Sequence, residues 1–221
     1  LEGMPLADDE DAYRFQAQLL VTGRLVAESP PLKLFFDAPF MINDGKYYAQ
    51  YFMGWPILMA PGVWLGVTGF MNALYFGASV VPLFLAARRL AGSAWAKVAV
   101  LLLLTSPMLL VAAATELSHT SCMAALAWLV WAVMRASDDD APTWVHAAAA
   151  TAFSLAFLVR PATALGLGAP LLAAWAWTSL RRGKGRGRAV VSFVIPAVVL
   201  AGVFFGINQI QNGNPMVTSY T

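Results

Sequence analysis

Several polar side chains in this sequence are of types that can handle a proton or an anion. Carboxylates are concentrated in the run Asp8–Asp11, and Glu116 and His119 stand three residues apart, a spacing that places two side chains on one face of a helix. Arg160 directly precedes a proline, and Lys46 precedes two tyrosines. A guanidinium or ammonium group at a membrane surface can clamp a lipid phosphate. Arg160 and Lys46 are therefore the candidates for a clamp on a lipid phosphate.

The acidic run also has a simpler structural interpretation. Asp8 or Asp9 can cap the helix that begins there, while the neighbouring acids favour the helix dipole. This helix places Ala12, Phe15 and Leu19 on one face, so it is expected to be amphipathic and to lie along the membrane interface. Both interpretations of the run stay open on the sequence.

The other candidates have comparable alternatives. Glu116 and His119 can simply mark a helix end at the membrane surface. Arg160 can be a guanidinium that snorkels to the headgroups. Lys46, with the two tyrosines that follow it, can anchor a loop at the same level.

The composition predicts a multi-spanning membrane protein. Hydrophobic residues make up 59% of the 221 positions and charged residues only 12%, whereas soluble domains carry about 25% charged residues. The lone cysteine, Cys122, excludes an internal disulfide framework and a cysteine metal cluster. No Gly-rich phosphate loop and no basic surface for nucleic acid occurs, so nucleic acid is not an expected partner.

Apolar segments divide the chain into an outer loop and a helical bundle. Residues 1–67 are polar and hold eight of the twelve acidic residues, so we expect an outer loop there. Residues 68–208 are expected to form a transmembrane bundle, and 209–221 the start of a further outer loop. A helix of about 20 apolar residues crosses a membrane, and Pro161 should break the helix at Arg160. Six crossings are predicted, at about 68–87, 98–115, 117–134, 144–159, 162–180 and 189–208.

The basic residues predict the orientation. With residues 1–67 outside, the inner loops 88–97, 135–143 and 181–188 hold nine of the fourteen basic residues, as cytoplasmic loops do. The acidic run, His119, Arg160 and the polar tail from Asn208 to Thr221 then share the outer face. A carboxylate cluster, an imidazole and a guanidinium on one face favour a site at the outer membrane surface.

Short motifs support a family resemblance. The string Asp9–Ala17, followed by Gly23-Arg24-Leu25, resembles the first outer loop of the dolichyl-phosphate-mannose protein mannosyltransferase-like enzymes. These enzymes belong to the GT-C superfamily of glycosyltransferases, which includes bacterial lipid A aminoarabinose transferases. Comparable residues follow in the same order at Gly45–Tyr51, Gly54-Trp55-Pro56, Ser118-His119, Arg160-Pro161, Gly213-Asn214-Pro215 and Tyr220.

The resemblance implies an all-α, GT-C-like helical bundle and a specific reaction. A sugar carried on a polyprenyl phosphate would be transferred, with inversion, to a hydroxyl of a protein, lipid or glycan acceptor outside the membrane. Asp9 would be the general base, and the cations would stabilise the leaving phosphate. Glu10 would position the acceptor or neighbour a divalent cation, an ion that some relatives do without. The substrate-binding residues implied are Glu10, Tyr13, Lys46, Tyr48, His119 and Arg160.

The resemblance also sets limits. Gln50 stands where relatives have a lysine, so Lys46 would have to substitute for it. The first helix and the C-terminal half of such enzymes are expected to lie outside this sequence, and the segment alone is expected to be inactive. A bacterial inner membrane is the expected location. A secondary transporter, with ionisable or broken helices at the midplane, and a non-catalytic scaffold subunit are the alternatives.

Overall fold

A computed structural model of the chain describes residues 7–181 and 185–220. Arg182 and Lys184 of the basic loop, and Thr221 of the polar tail, lie outside the described residues. Helices dominate the described parts. They are α1 (Asp8–Val21), α2 (Gly54–Leu65), α3 (Met71–Thr105), α4 (Pro107–Ala114), α5 (His119–Ala136), α6 (Thr143–Val159), α7 (Pro161–Thr163), α8 (Ala169–Leu180) and α9 (Arg186–Asn212).

Three of these helical stretches are long and apolar enough to cross a membrane: 68–105, 161–180 and 186–212. The last two contain α8 and α9. Helices α4 and α5 make a fourth crossing if they are one span, although they bend by 115° at the link between them. Helix α6 is apolar but has only 17 residues. The protein is therefore a largely helical chain with apolar spans, as the composition predicts, but six crossings stay a prediction.

Two predicted boundaries differ from the structure. The loop predicted at 88–97 is instead helical on both sides of a break at Gly92, which has φ 85° and ψ 170°. Glycine tolerates a positive φ because it has no Cβ, so the helix can turn there without a loop. The crossing predicted at 98–115 is interrupted at Ser106, whose ψ is 113°. Pro107 follows it, and a residue before proline avoids the helical conformation.

A small antiparallel sheet, which the sequence did not predict, lies between α1 and α2. Its strands are β1 (Ala27–Glu28), β2 (Met41–Asp44) and β3 (Lys46–Ala49), in the order β1-β3-β2. The hairpin of β2 and β3 turns at Gly45, where φ is 72°, so that Asp44 pairs with Lys46. Gln16 of α1 fixes β3, because its side-chain oxygen accepts the Ala49 backbone N–H at 3.0 Å.

The part of the chain that forms α1, the sheet and α2 packs directly on the later helices. A buried cluster joins Tyr13 and Ala17 of α1 to Trp55 and Met59 of α2, and continues to Cys122 of α5. A second cluster lies between α5, α6 and α8. It is formed by Leu129, Ala132, Val133, Ala136, Val145, Ala149, Ala152 and Trp175. The first cluster holds the acidic end of α1 against the ends of α5 and α6, which is where the candidate site lies.

Candidate functional site

A cavity of about 450 Å³ gathers side chains from five separate parts of the chain. α1 contributes Asp9 and Tyr13, the start of α5 contributes His119, and the junction of α6 and α7 contributes Arg160. The polar tail closes one side. Further lining residues include Tyr51, Ser118 and Tyr220. Four of the seven site residues expected from the sequence therefore meet in one cavity.

Asp9 is held in the first turn of α1. The residue that caps this helix is Ala7, and it makes no side-chain capping hydrogen bond, so the prediction that Asp8 or Asp9 is the cap is wrong. The cap position falls on Ala7 because the helix begins one residue earlier than expected. The acidic residues lie in the first turn instead, where the helix dipole favours negative charge. Asp9 is thus half-buried and faces the cavity.

The break expected before Pro161 is confirmed and presents Arg160 to the cavity. Arg160 has φ −147° and ψ 85°, between the last residue of α6 and the first of α7. Its Nη1 donates to Ser118 Oγ at 3.2 Å and contacts His119 Nε2 at 3.2 Å. A guanidinium can only donate, so the imidazole accepts through Nε2 and its proton lies on Nδ1. Arg160 keeps further N–H groups for an anion in the cavity.

Tyr13 of α1 joins the same network. Its hydroxyl donates to Ser118 Oγ at 3.2 Å, so the serine oxygen bridges the phenol and the guanidinium of Arg160. Burial raises the pKa of Tyr13 above its ordinary value, which keeps the hydroxyl protonated and donating at neutral pH. The network therefore fixes Ser118 and Arg160 relative to α1.

Tyr51 is a site residue that the sequence did not single out. Its ring stacks on Tyr13 with centroids 4.6 Å apart, and it also contacts Tyr220 at 5.8 Å. Burial, and then the hydrogen bond with Asp9, raise the pKa of Tyr51 above its ordinary value. Tyr51 thus stays protonated and donates to the carboxylate. Beyond their places in the short motifs, no sequence signal assigns a role to Tyr51, Ser118 or Tyr220.

An apolar groove of about 630 Å³ adjoins the polar cavity. It lies between α5 and the helices that follow Arg160, and its walls include Met123, Leu126 and Leu171. His119, Arg160 and Thr163 line both spaces, so they form the boundary between them. The arrangement suits an amphipathic ligand with an anionic head at Arg160 and an apolar tail in the groove.

Lys46 and Tyr48 lie away from this cavity, at the end of α9. The Lys46 ammonium donates to the backbone carbonyls of Ile210 at 2.6 Å and Gln211 at 3.3 Å. The Tyr48 hydroxyl donates to Asn212 Oδ1 at 3.0 Å. The last carbonyls of a helix have no partner within the helix, so Lys46 satisfies two of them, while Tyr48 binds a side chain at the same end. Their substrate-binding role stays a prediction.

Glu10 points in a different direction from Asp9. It is 3% exposed, and its Oε1 accepts the backbone N–H of Glu116 at 3.1 Å. It thereby holds the link between α4 and α5 rather than lining the cavity. Its expected role in positioning the acceptor also stays a prediction.

Glu116 and His119 do not share a helical face. Helix α5 begins only at His119, and Glu116 lies in the link before it, where Arg14 binds its carboxylate at 2.6 and 3.0 Å. The link is not helical, and its carbonyls accept hydrogen bonds from other helices. Trp55 Nε1 donates to Glu116 O at 2.6 Å, and Asn72 Nδ2 donates to Thr115 O at 2.6 Å. Although the two residues are only three positions apart, Glu116 binds Arg14 and His119 lines the cavity.

The described residues do not fit a divalent cation. Across 7–181 and 185–220, no three His, Cys, Asp or Glu side chains gather where they could hold a metal ion. Near the cavity the carboxylate of Glu116 is bound by Arg14 and that of Glu10 accepts a backbone N–H. Asp9 is thus the carboxylate of the acidic run that lines the cavity.

Comparison with known proteins adds no family or fold neighbour. No protein-family model matches this chain, and neither a curated protein nor a solved structure matches it significantly.

Proposed function

We propose that this protein is a glycosyltransferase of the GT-C type, which moves a sugar from a polyprenyl-phosphate carrier to an acceptor hydroxyl. The single observation that carries the proposal is that Asp9 and Arg160 line one cavity, which adjoins an apolar groove. A carboxylate and a cation in one cavity match the two charges that a sugar transfer must handle. The site would face the periplasm from a bacterial inner membrane.

The reaction would be one displacement at the anomeric carbon. The acceptor hydroxyl gives its proton to Asp9 while its oxygen bonds to the anomeric carbon. The bond from that carbon to the carrier phosphate oxygen breaks on the opposite side, and its electron pair leaves with the phosphate, so configuration inverts. General-base catalysis of this kind is worth about 10²–10⁴-fold. Tyr51 would donate to Asp9 and so help to hold its carboxylate in the cavity.

Arg160 would stabilise the leaving phosphate. Donors that are already oriented toward a developing charge lower the barrier most, and Ser118 and His119 hold this guanidinium in place at 3.2 Å each. The apolar groove beyond Arg160 would take the first isoprene units of the carrier. Each buried CH₂ contributes about 0.8 kcal/mol, so a lipid tail adds binding energy outside the reacting centre.

The test uses the full-length protein in membranes supplied with radiolabelled polyprenyl-phosphate sugars. Asp9→Asn and the matched control Asp11→Asn are compared with wild type at equal expression; Asp11 is exposed in the same turn of α1. Transfer by wild type and by Asp11→Asn, with at least a hundredfold loss in Asp9→Asn, supports the proposal. Equal transfer by Asp9→Asn removes Asp9 from the mechanism. No transfer from any donor favours a transporter or a scaffold.

A further inference from the structure

The stretch between β1 and β2 carries an exposed group of large apolar side chains. We call it the apolar tip; it comprises Leu32, Leu34, Phe35 and Phe36. Leu34 is 88% exposed, the largest value among the large hydrophobic side chains described, and Phe35 is 81% exposed. Neighbouring exposed apolar side chains of this size indicate a contact surface.

The apolar tip is tied to the β2–β3 hairpin. It forms a 3₁₀ turn at Lys33–Phe35, and the carbonyl of Lys33 accepts the side-chain N–H of Asn43 at 3.4 Å. The Lys33 ammonium also lies 3.8 Å from the carboxylate of Asp44. Asp44 is the last residue of β2 and pairs with Lys46 across the turn. The tip therefore sits beside the turn of the hairpin.

The hairpin in turn is tied to the end of an apolar span. Lys46 donates to the carbonyls of Ile210 and Gln211, in the last turn of α9. Helix α9 has 27 residues, which at 1.5 Å each extend about 40 Å. The hydrocarbon core is about 30 Å thick, and about 40–45 Å with the headgroups. The last turn of α9, and the hairpin bound to it, therefore reach the headgroup layer.

From these ties we propose that the apolar tip inserts into the lipid interface of the leaflet at which α9 ends. Aromatic and leucine side chains partition into that layer, and a neighbouring lysine can keep its ammonium among the lipid phosphates. The occupant is lipid because the tip lies one hairpin turn away from the end of a membrane span. The contact requires no catalytic activity, so it stands or falls separately from the proposed glycosyl transfer.

The experiment places a fluorescent reporter on the tip. Leu34→Cys is made in the full-length protein with Cys122 and any other cysteine replaced, labelled with NBD, and reconstituted into phosphatidylglycerol/phosphatidylcholine nanodiscs. Because the Leu34 side chain is exposed, the substitution should leave the fold intact. Asp139→Cys, exposed on the loop between α5 and α6, is the matched aqueous control. Phe35→Cys repeats the measurement on the adjacent residue.

We expect the Leu34 and Phe35 labels to emit at shorter wavelength than the Asp139 label. We also expect nitroxide lipids labelled near the headgroup to quench the tip labels at least threefold more than iodide does. An aqueous spectrum with efficient iodide quenching would overturn the proposal. Protection from both quenchers would overturn it too, because it would mean that protein covers the tip.

Discussion

Gly54 of α2 lies directly against the backbone of Leu158 in α6. A Cβ on Gly54 would come within 2.5 Å of the carbonyl oxygen of Leu158 and of the amide nitrogen of Val159. Backbone atoms cannot rotate aside as a side chain does, so glycine allows α2 and α6 to approach this closely. Arg160 is the next residue after Val159. This contact therefore helps to set the position of the Arg160 guanidinium relative to α2.

Replacing Gly54 with alanine should destabilise the protein. The methyl group forces α2 away from α6, and overpacking of this kind costs about 1–3 kcal/mol. The measurement is the thermal unfolding midpoint in detergent, followed by circular dichroism. Gly77→Ala is the matched control, because Gly77 is also helical and exposed and a Cβ there meets nothing within 4 Å. A Gly54→Ala midpoint equal to that of the control would contradict the close packing.

The link between α4 and α5 depends on a partly buried ion pair. Glu116→Gln weakens the two hydrogen bonds from Arg14 and removes the negative charge that they bind. The Glu116 side chain is only 8% exposed, so we expect a loss of about 1–3 kcal/mol in the free energy of unfolding. Asp44→Asn is the control, since the Lys33–Asp44 pair spans 3.8 Å and its carboxylate is 96% exposed.

Such an exposed pair is worth about 0–1 kcal/mol, so the control should unfold almost as wild type does. Chemical denaturation in mixed micelles measures the free energy of unfolding of both variants under the same conditions. Equal losses in the two variants would show that the Arg14–Glu116 pair does not hold the link.

Hydropathy and proline positions predicted much of this fold because both act locally. They indicated the apolar helices and the break at Arg160, which depend on neighbours in sequence. They did not indicate that Lys46 would cap α9, because its partners lie 164 and 165 residues away. Strands of two to four residues are too short to show an alternating pattern, so the sheet was missed as well.

The site was predicted in part for a related reason. The cavity is lined by four residues that the sequence predicted: Asp9, Tyr13, His119 and Arg160. The motifs that indicated them did not depend on where each helix begins or ends. The pairing of Glu116 with His119 assumed a continuous helix, and Asn72 and Trp55 prevent one by binding the carbonyls of the link. Tyr51 was missed because its contacts with Tyr13 and Asp9 arise only when α1 packs beside the hairpin.

Tyr51→Phe should make the protein less sensitive to alkali. The pKa of Tyr51 is raised in the folded protein above its ordinary value of 10.0, mainly by burial. Between pH 10 and that raised pKa the unfolded chain ionises first, so stability is full below pH 10 and falls as the pH rises. We expect the drop in unfolding midpoint between pH 8 and pH 11 to be smaller in Tyr51→Phe than in wild type. The same drop in both would remove Tyr51 as a source of alkaline instability.

Two cations were predicted to bind the donor phosphate, and only one of them lines the cavity. Arg160→Gln removes the positive charge between Ser118 and His119, and a hydrogen bond to a charged group is worth about 1.5–3 kcal/mol. We therefore expect kcat/KM for a polyprenyl-phosphate sugar to fall about 10- to 100-fold. Lys46→Gln should leave kcat/KM within about twofold, because its ammonium binds the end of α9 instead.

Lys46→Gln should lower the stability of the protein and leave sugar transfer nearly unchanged. Loss of a cation from a helix C-terminus costs about 0.3–1 kcal/mol, so the unfolding midpoint of Lys46→Gln should drop. Steady-state transfer by full-length variants in the same vesicles separates the two positions. If Lys46→Gln loses transfer and Arg160→Gln does not, the phosphate binds at the hairpin, and the cavity at Arg160 is not the donor site.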